Sequence, residues 1–212
     1  MKEAQINSKK SAGIIFFLVG LLFAYTAYRA IVLSITWDEA YSYLQYVRNE
    51  IIIPDKYEQM DANNHILNTW LNIQFTRFFG VSEFVLRTPS LFAHLFFLFF
   101  SYKLVRDFQT RWLIVASFLI LNLNPYVLDF FSLSRGYAMS LGLMMGSIYF
   151  LYAFIKEGYK AKHALFSCIF GALATTANFV VLNYFIVSYG LIFLMTGYQL
   201  LQGDKTLTQK TV

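Results

Sequence analysis

The sequence predicts an all-α, polytopic membrane protein with about six transmembrane helices and a long first external loop carrying interfacial helices. Three observations predict it. The 212 residues are 58% hydrophobic and only 14% charged, whereas soluble domains run near 45–50% and about 25%. Six stretches approach the roughly 20 apolar residues that a spanning helix requires. The basic residues are distributed between the connections as a membrane topology demands, concentrated on one side.

The six stretches run from about Gly13 to Ile35, Arg87 to Val105, Trp112 to Phe130, Gly136 to Ile155, Ala164 to Leu182 and Tyr184 to Leu201. The first is longer than a signal-peptide core and no A-x-A site follows it, so it reads as an uncleaved anchor. Eleven of the 17 basic residues lie in the N-terminal tail, the second-to-third and fourth-to-fifth connections and the C-terminal tail; five lie in the other connections, and Arg29 lies inside the first stretch. The positive-inside rule then places both termini in the cytoplasm of a multi-pass protein of the plasma (inner) membrane. The expected organisation is a tail over 1–12, a transmembrane domain over 13–201 with its external loop over 36–86, and a second tail over 202–212. The net charge of +5 marks topology, and nucleic-acid binding is excluded because the basic residues share no patch. Disorder is excluded by the apolar content. The single cysteine, Cys168, excludes an intramolecular disulfide framework.

The external loop holds seven of the twelve acidic residues, and loops of this length are usually functional. Tyr41, Leu44, Tyr46 and Val47 suit a short interfacial helix. Ile66, Trp70, Ile73 and Phe78 give an apolar face to a second helix from about Asn64 to Phe79, and Pro54 separates the two. Thr36-Trp37-Asp38-Glu39 matches a capping box, with Glu39 at the third helical position. Capping and catalysis therefore stand side by side for this acidic pair, and they are compatible.

The remaining polar residues have paired readings. Asp61 and His65 are four apart, so a divalent cation is a candidate cofactor there; a surface histidine is the plainer reading. Asn63 and Asn64 suit turns or caps. Arg87 and Arg135 sit at outer span ends, either snorkelling to head groups or clamping a phosphate bidentately. Asp129 lies at a depth where ionisable groups are paired or functional. Arg29, His94, Asn122, Asn124, Asn178 and Asn183 are expected to hydrogen-bond between helices. No Walker loop, G-x-G-x-x-G, C-x-x-C or H-E-x-x-H motif is present.

Four segments together resemble the GT-C superfamily of polyprenyl-phosphate-sugar-dependent glycosyltransferases, nearest the bacterial branch related to protein O-mannosyltransferases and the lipid A aminoarabinose transferase. Trp37-Asp38-Glu39-Ala40-Tyr41 is similar to the W-D-E start of that family's first external loop. Asp61-Ala62-Asn63-Asn64-His65-Ile66-Leu67 is similar to its N-H-P-P-L segment without the prolines. Leu86-Arg87-Thr88-Pro89-Ser90 is similar to its L-R-L-P-S, and Ser134-Arg135-Gly136-Tyr137-Ala138 to its A-R-x-Y-A.

The resemblance implies an inverting transfer of a sugar from polyprenyl phosphate to an acceptor hydroxyl on the external face. Asp38 would be the general base, and Glu39 would orient the loop or the acceptor. Arg135, with Arg87 second, would hold the departing phosphate; His65 and Asn64 would contact substrate. The implied partners are membrane lipid, the lipid-linked donor, an unidentified acceptor, and a separate C-terminal half or partner subunit, because the family usually has roughly twice as many spans. The alternative expectation is a non-catalytic assembly or accessory protein, or half of a split transferase.

Overall fold

The computed structural model describes the backbone of residues 2–55, 61 and 63–209, and side chains over 12–55, 61 and 63–201. All regular structure among the described residues is helical. The order is α1 (Lys2–Val32), α2 (Trp37–Ser42) running into a π-helical turn (Tyr43–Val47), α3 (Ile66–Phe79), α4 (Glu83–Val105), α5 (Arg111–Asn122), α6 (Pro125–Phe131), α7 (Gly136–Lys156), α8 (Ala161–Ala177), a 3-10 turn (Phe179–Val181) and α9 (Leu182–Gln209).

Among the described residues, four helices are long and apolar enough to cross a membrane: α1 over Ala12–Val32, α4, α7, and the segment Phe179–Leu201. The about six spans expected from the sequence are thus met only in part. The third expected stretch, Trp112 to Phe130, is two helices bent by 63°. Pro125 disfavours helix at Asn124, occupies the first position of α6 where its missing N–H costs nothing, and Asn124 caps α6 by accepting from the Tyr126 amide at 3.0 Å. The fifth stretch yields only the 17 residues of α8, about 25 Å of helix at 1.5 Å per residue. Length and composition thus support four crossings, or five if the bent pair is one.

The core has two lobes that share α4. Ile15, Leu22, Leu98, Ile114 and Phe118 pack α1, α4 and α5 together. Ala93, Phe97, Phe100, Phe131 and Met145 join α4 to α6 and α7. Small residues bring α4 and α7 close: a Cβ on Gly142 would lie 2.6 Å from the Ala93 carbonyl oxygen. Apolar helices in lipid gain little from burial alone, so close packing and interhelical hydrogen bonds hold them. Thr26 pairs with His94 at 2.8 Å, Asn122 with Ser101 at 3.1 Å, and Ser147 with the Ser167 carbonyl at 2.8 Å. Arg29 of α1 pairs with Asp129 of α6 at 2.8 Å.

The loop after α1 is anchored, not loose. Val47, Ile73 and Leu86 form a third cluster that seats the π-helical turn on α3 and α4. Glu50, with φ of 56°, turns the chain back, and its carboxylate is bound through two nitrogens of Arg77 on α3. This loop, the α3–α4 turn, the α6–α7 turn and the α8–α9 turn gather at one end of the bundle. Glu39 reaches Arg87 and Ser134, and Gly136 abuts both His65 and the Ala177 carbonyl. At the opposite end, Lys156 pairs with Asp107 at 2.6 Å.

Candidate active site

The site is built where α2 and α7 begin. Thr36 caps α2 in the reciprocal box that the sequence predicts: its hydroxyl accepts from the Glu39 amide, and Glu39 accepts from the Thr36 amide at 2.9 Å. The adjacent carboxylates then diverge. Glu39 turns into the protein and is 3% exposed; the Asp38 side chain is 39% exposed.

Glu39 is saturated. Its Oε1 accepts from Arg87 Nε at 2.8 Å and from the Ser134 amide at 2.7 Å; its Oε2 accepts from Arg87 at 2.8 Å, the Thr36 amide and the Thr36 hydroxyl. Burial pushes the carboxyl upward, but the hydrogen bonds from Arg87, Ser134 and Thr36, with the Arg87 charge, outweigh it and hold it below the usual range. Arg87 is fully buried and equally committed. Its remaining N–H groups donate to the carbonyls of Ala30, Leu33 and Ser34 at 3.0, 2.6 and 3.1 Å. Ala30 lies in the last turn of α1, where carbonyls lack a helical partner, and Leu33 and Ser34 follow its end. All five N–H donors of the guanidinium are therefore used, and none is left for a phosphate. Glu39 and Arg87, both expected at the chemistry, form the bracket that locks the end of α1, the start of α2, α4 and the α6–α7 turn together.

Asp38 and Arg135 form the accessible pair. Arg135, the residue before α7, donates to Asp38 Oδ2 and, at 3.1 Å, to Asn63 Oδ1; its Nε has no partner. The guanidinium lies 5.4 Å from the centre of the Tyr137 ring, which stacks on Phe130. No side chain caps α7, and its first turn is buried, with Gly136 packed against His65 and the Ala177 carbonyl. Asn63 is held by Asp61, whose Oδ1 accepts from the Asn63 amide at 2.8 Å while Oδ2 accepts from Tyr41 at 3.3 Å.

His65 and Asn64 stand at the start of α3. Asn64 ties the loop to α3, donating to the Ile52 carbonyl at 3.1 Å and accepting from Thr69 at 3.1 Å. His65 is not a surface histidine, as its polar neighbourhood suggests: it is 7% exposed, with its ring edge-on to Tyr137 at 5.4 Å. Burial and the nearby Arg135 charge push it down to about 4, against the Ala177 carbonyl and Asp38. His65 and Asp61 line one cavity, but among the described residues no three His, Cys, Asp or Glu side chains come together as a metal site.

Sequence reasoning missed three contributors: Asn63 as the second acceptor for Arg135, the Ser134 amide as a donor to Glu39, and Asn72, which donates to Ser134 Oγ at 2.8 Å. Only Asn63 carried a signal, as part of the asparagine pair before His65. No family model, curated protein or solved structure matches this chain.

Proposed function

We propose that this protein is an integral membrane glycosyltransferase that moves a sugar from a polyprenyl-phosphate donor to an acceptor hydroxyl at the external face, with inversion. The observation that supports it best is the division of labour between two ion pairs. Glu39–Arg87 is buried and structural, whereas Asp38–Arg135 is partly exposed, most of all at the Asp38 carboxylate. Asp38 is the general base, taking the proton of the attacking hydroxyl. Arg135, at the start of α7, receives the phosphate in place of Asp38 and stabilises the charge that develops as the anomeric C–O bond breaks. In the substrate-free protein the two neutralise each other. A donor phosphate competes for Arg135 and so frees Asp38 when it is needed.

The lipid tail has a fitting place. An apolar groove of about 260 Å3 runs between α3, α4 and α7, lined by Leu71, Phe75, Phe92 and Phe96. It continues past Phe79 and Phe84 into a further 380 Å3. In this reading α5 with α6 forms one bent crossing and α8 a short one. The chain then crosses six times with both termini in the cytoplasm, in the inner membrane.

The closed Asp38–Arg135 pair favours a second reading, an accessory protein in which the pair is only a loop clasp. Binding of polyprenyl phosphate to the chain in lipid nanodiscs separates the two. As a transferase, Asp38→Asn binds it more tightly, because Arg135 is released, and Arg135→Gln binds it at least about tenfold more weakly, the loss of one charge-assisted pair. Equal affinity in all three proteins would sink the transferase reading and leave the clasp.

A further inference from the structure

The break between α5 and α6 leaves backbone oxygens open inside the proposed crossing. In that reading α5 starts at the cytoplasmic surface with Arg111. Its 12 residues reach about 18 Å inward, well within the roughly 30 Å of hydrocarbon. There the chain bends by 63°. Pro125 has no N–H to give the Leu121 carbonyl. Among the described residues, no donor reaches the carbonyls of Ile120, Leu121 or Leu123. The bend cannot straighten to recover them. Asp129 of α6 is tied to Arg29 of α1 at 2.8 Å, and Leu128 packs into the lobe of α1, α4 and α5.

This open end faces outward. Ile120, Leu123 and Tyr126 are 78%, 52% and 77% exposed, and with Asn124 and Pro125 they line a cleft of about 550 Å3. Irregular backbone at such depth does not face lipid tails; it is covered by protein or lines a water-filled cavity. The surface leading to the cleft favours protein. Leu113, Ala116, Ile120 and Leu123 are all exposed and recur at alternating steps of three and four residues. That is the spacing of a seam between two helices, and the small Ala116 allows close approach.

The missing donor stands on the same patch. The Tyr126 hydroxyl makes no hydrogen bond among the described residues, and a phenol donates through its hydrogen. A patch holding both unfilled acceptors and an unused donor is self-complementary, as a two-fold contact between identical chains requires. Two copies inserted in the same direction bring Tyr126 of each to about the depth of the other's open carbonyls, which lie a turn or so back along the chain.

We propose that two copies of this chain pair through the α5–α6 break, with the α5 stripes packed together and each Tyr126 hydroxyl donating to the open carbonyls of the other copy. The proposal rests on α5 with α6 forming one crossing and does not require transfer chemistry at Asp38.

The test counts copies of the full chain by stepwise photobleaching in liposomes at increasing dilution. Beside it, single cysteines in a Cys168→Ser background are treated with a membrane-permeant oxidant. Pairs are expected. Ile120→Cys and Leu123→Cys should give disulfide-linked dimers, whereas Val187→Cys, on the 61% exposed face of α9, should not. Tyr126→Phe keeps the ring and removes the donor, so pairing should weaken by about fivefold to tenfold, the effect of two equivalent interhelical hydrogen bonds. Asp38→Asn should pair like the native chain. A monomer whose Ile120→Cys stays closed to an impermeant thiol reagent in opened membranes keeps the crossing and overturns the pairing. A monomer in which that cysteine reacts places water at the break and overturns both. A dimer that cross-links through Val187→Cys instead, or that Tyr126→Phe leaves unchanged, overturns this interface.

Discussion

Arg87 and Glu39 sit at the junction of four chain segments with every hydrogen-bonding position filled, which sets what their loss does. Removing one member of a buried pair leaves the other charge uncompensated and costs about 3–5 kcal/mol. Arg87→Met should therefore lower the unfolding free energy by about that amount, read as a loss of thermal stability in detergent. Arg87→Lys should not rescue it, since an ammonium cannot supply the planar two-nitrogen contact. The pH dependence follows from two shifts. Glu39 is held below 4.5, so its contribution is complete above that value and is lost as pH falls through the lower folded-state pKa. His65 falls from 6.5 to about 4, so the unfolded chain binds the proton first and stability drops as pH falls from 6.5 towards 4. His65→Gln should flatten the stability curve in that window; an unchanged slope would contradict the burial of a neutral imidazole. In the sequence, Asp38 and Glu39 carried the same two readings, capping and catalysis. The capping-box spacing did identify the role of Glu39. Nothing local told that its other partners, Arg87 and Ser134, lie 48 and 95 residues away.

Among the elements, the contact of α4 with α7 is the most exacting. Gly142 lets the helices meet where a side chain would strike the Ala93 carbonyl, so Gly142→Val should destabilise by about 1–3 kcal/mol, as overpacking does. Gly136 is tighter still: a Cβ there would lie 2.2 Å from the Ala177 carbonyl oxygen and 2.4 Å from His65 Cγ. Gly136→Ala should displace His65 and Arg135 together, and so reduce function more than stability. Comparing the melting temperature with polyprenyl-phosphate affinity checks this. The helices α1, α4 and α7 were legible from apolar length. The break between α5 and α6 was signalled by Asn124-Pro125, but the apolar residues on either side read as one stretch. The start of α3 was legible because Pro54 and the polar run after it end the first interfacial segment. The burial of His65 was not legible, because the walls around it come from α7 and α8.

At the scale of the molecule, the chain gathers its polar chemistry at one end of an apolar bundle and leaves α1 and α9 with long apolar faces. Within Phe179–Leu201 only Ser188 and Ile192 are buried, as suits a helix bordering lipid. Six crossings require the 46–55 segment and the 157–160 turn to lie on opposite sides. Single cysteines at Asn49 and Gly158, in a Cys168→Ser background, should react with an impermeant thiol reagent in intact cells at the first position only. Labelling of both, or of neither, would contradict the topology. The lysines and arginines of the short connections give an expected orientation that the labelling tests, whereas the number of crossings was not readable, because α8 is short and the α5–α6 pair is bent.

In the proposed reaction Asp38 is the base for sugar transfer. The direct measurement is release of polyprenyl phosphate from a panel of labelled polyprenyl-phosphate sugars by the full chain in proteoliposomes, beside Asp38→Asn. Release is expected with at least one sugar in the presence of an acceptor, falling by about 100-fold to 10,000-fold in Asp38→Asn, as for loss of a general base, with no fall in melting temperature. Release that survives in Asp38→Asn, or no release with any donor from a folded, inserted chain, would contradict it.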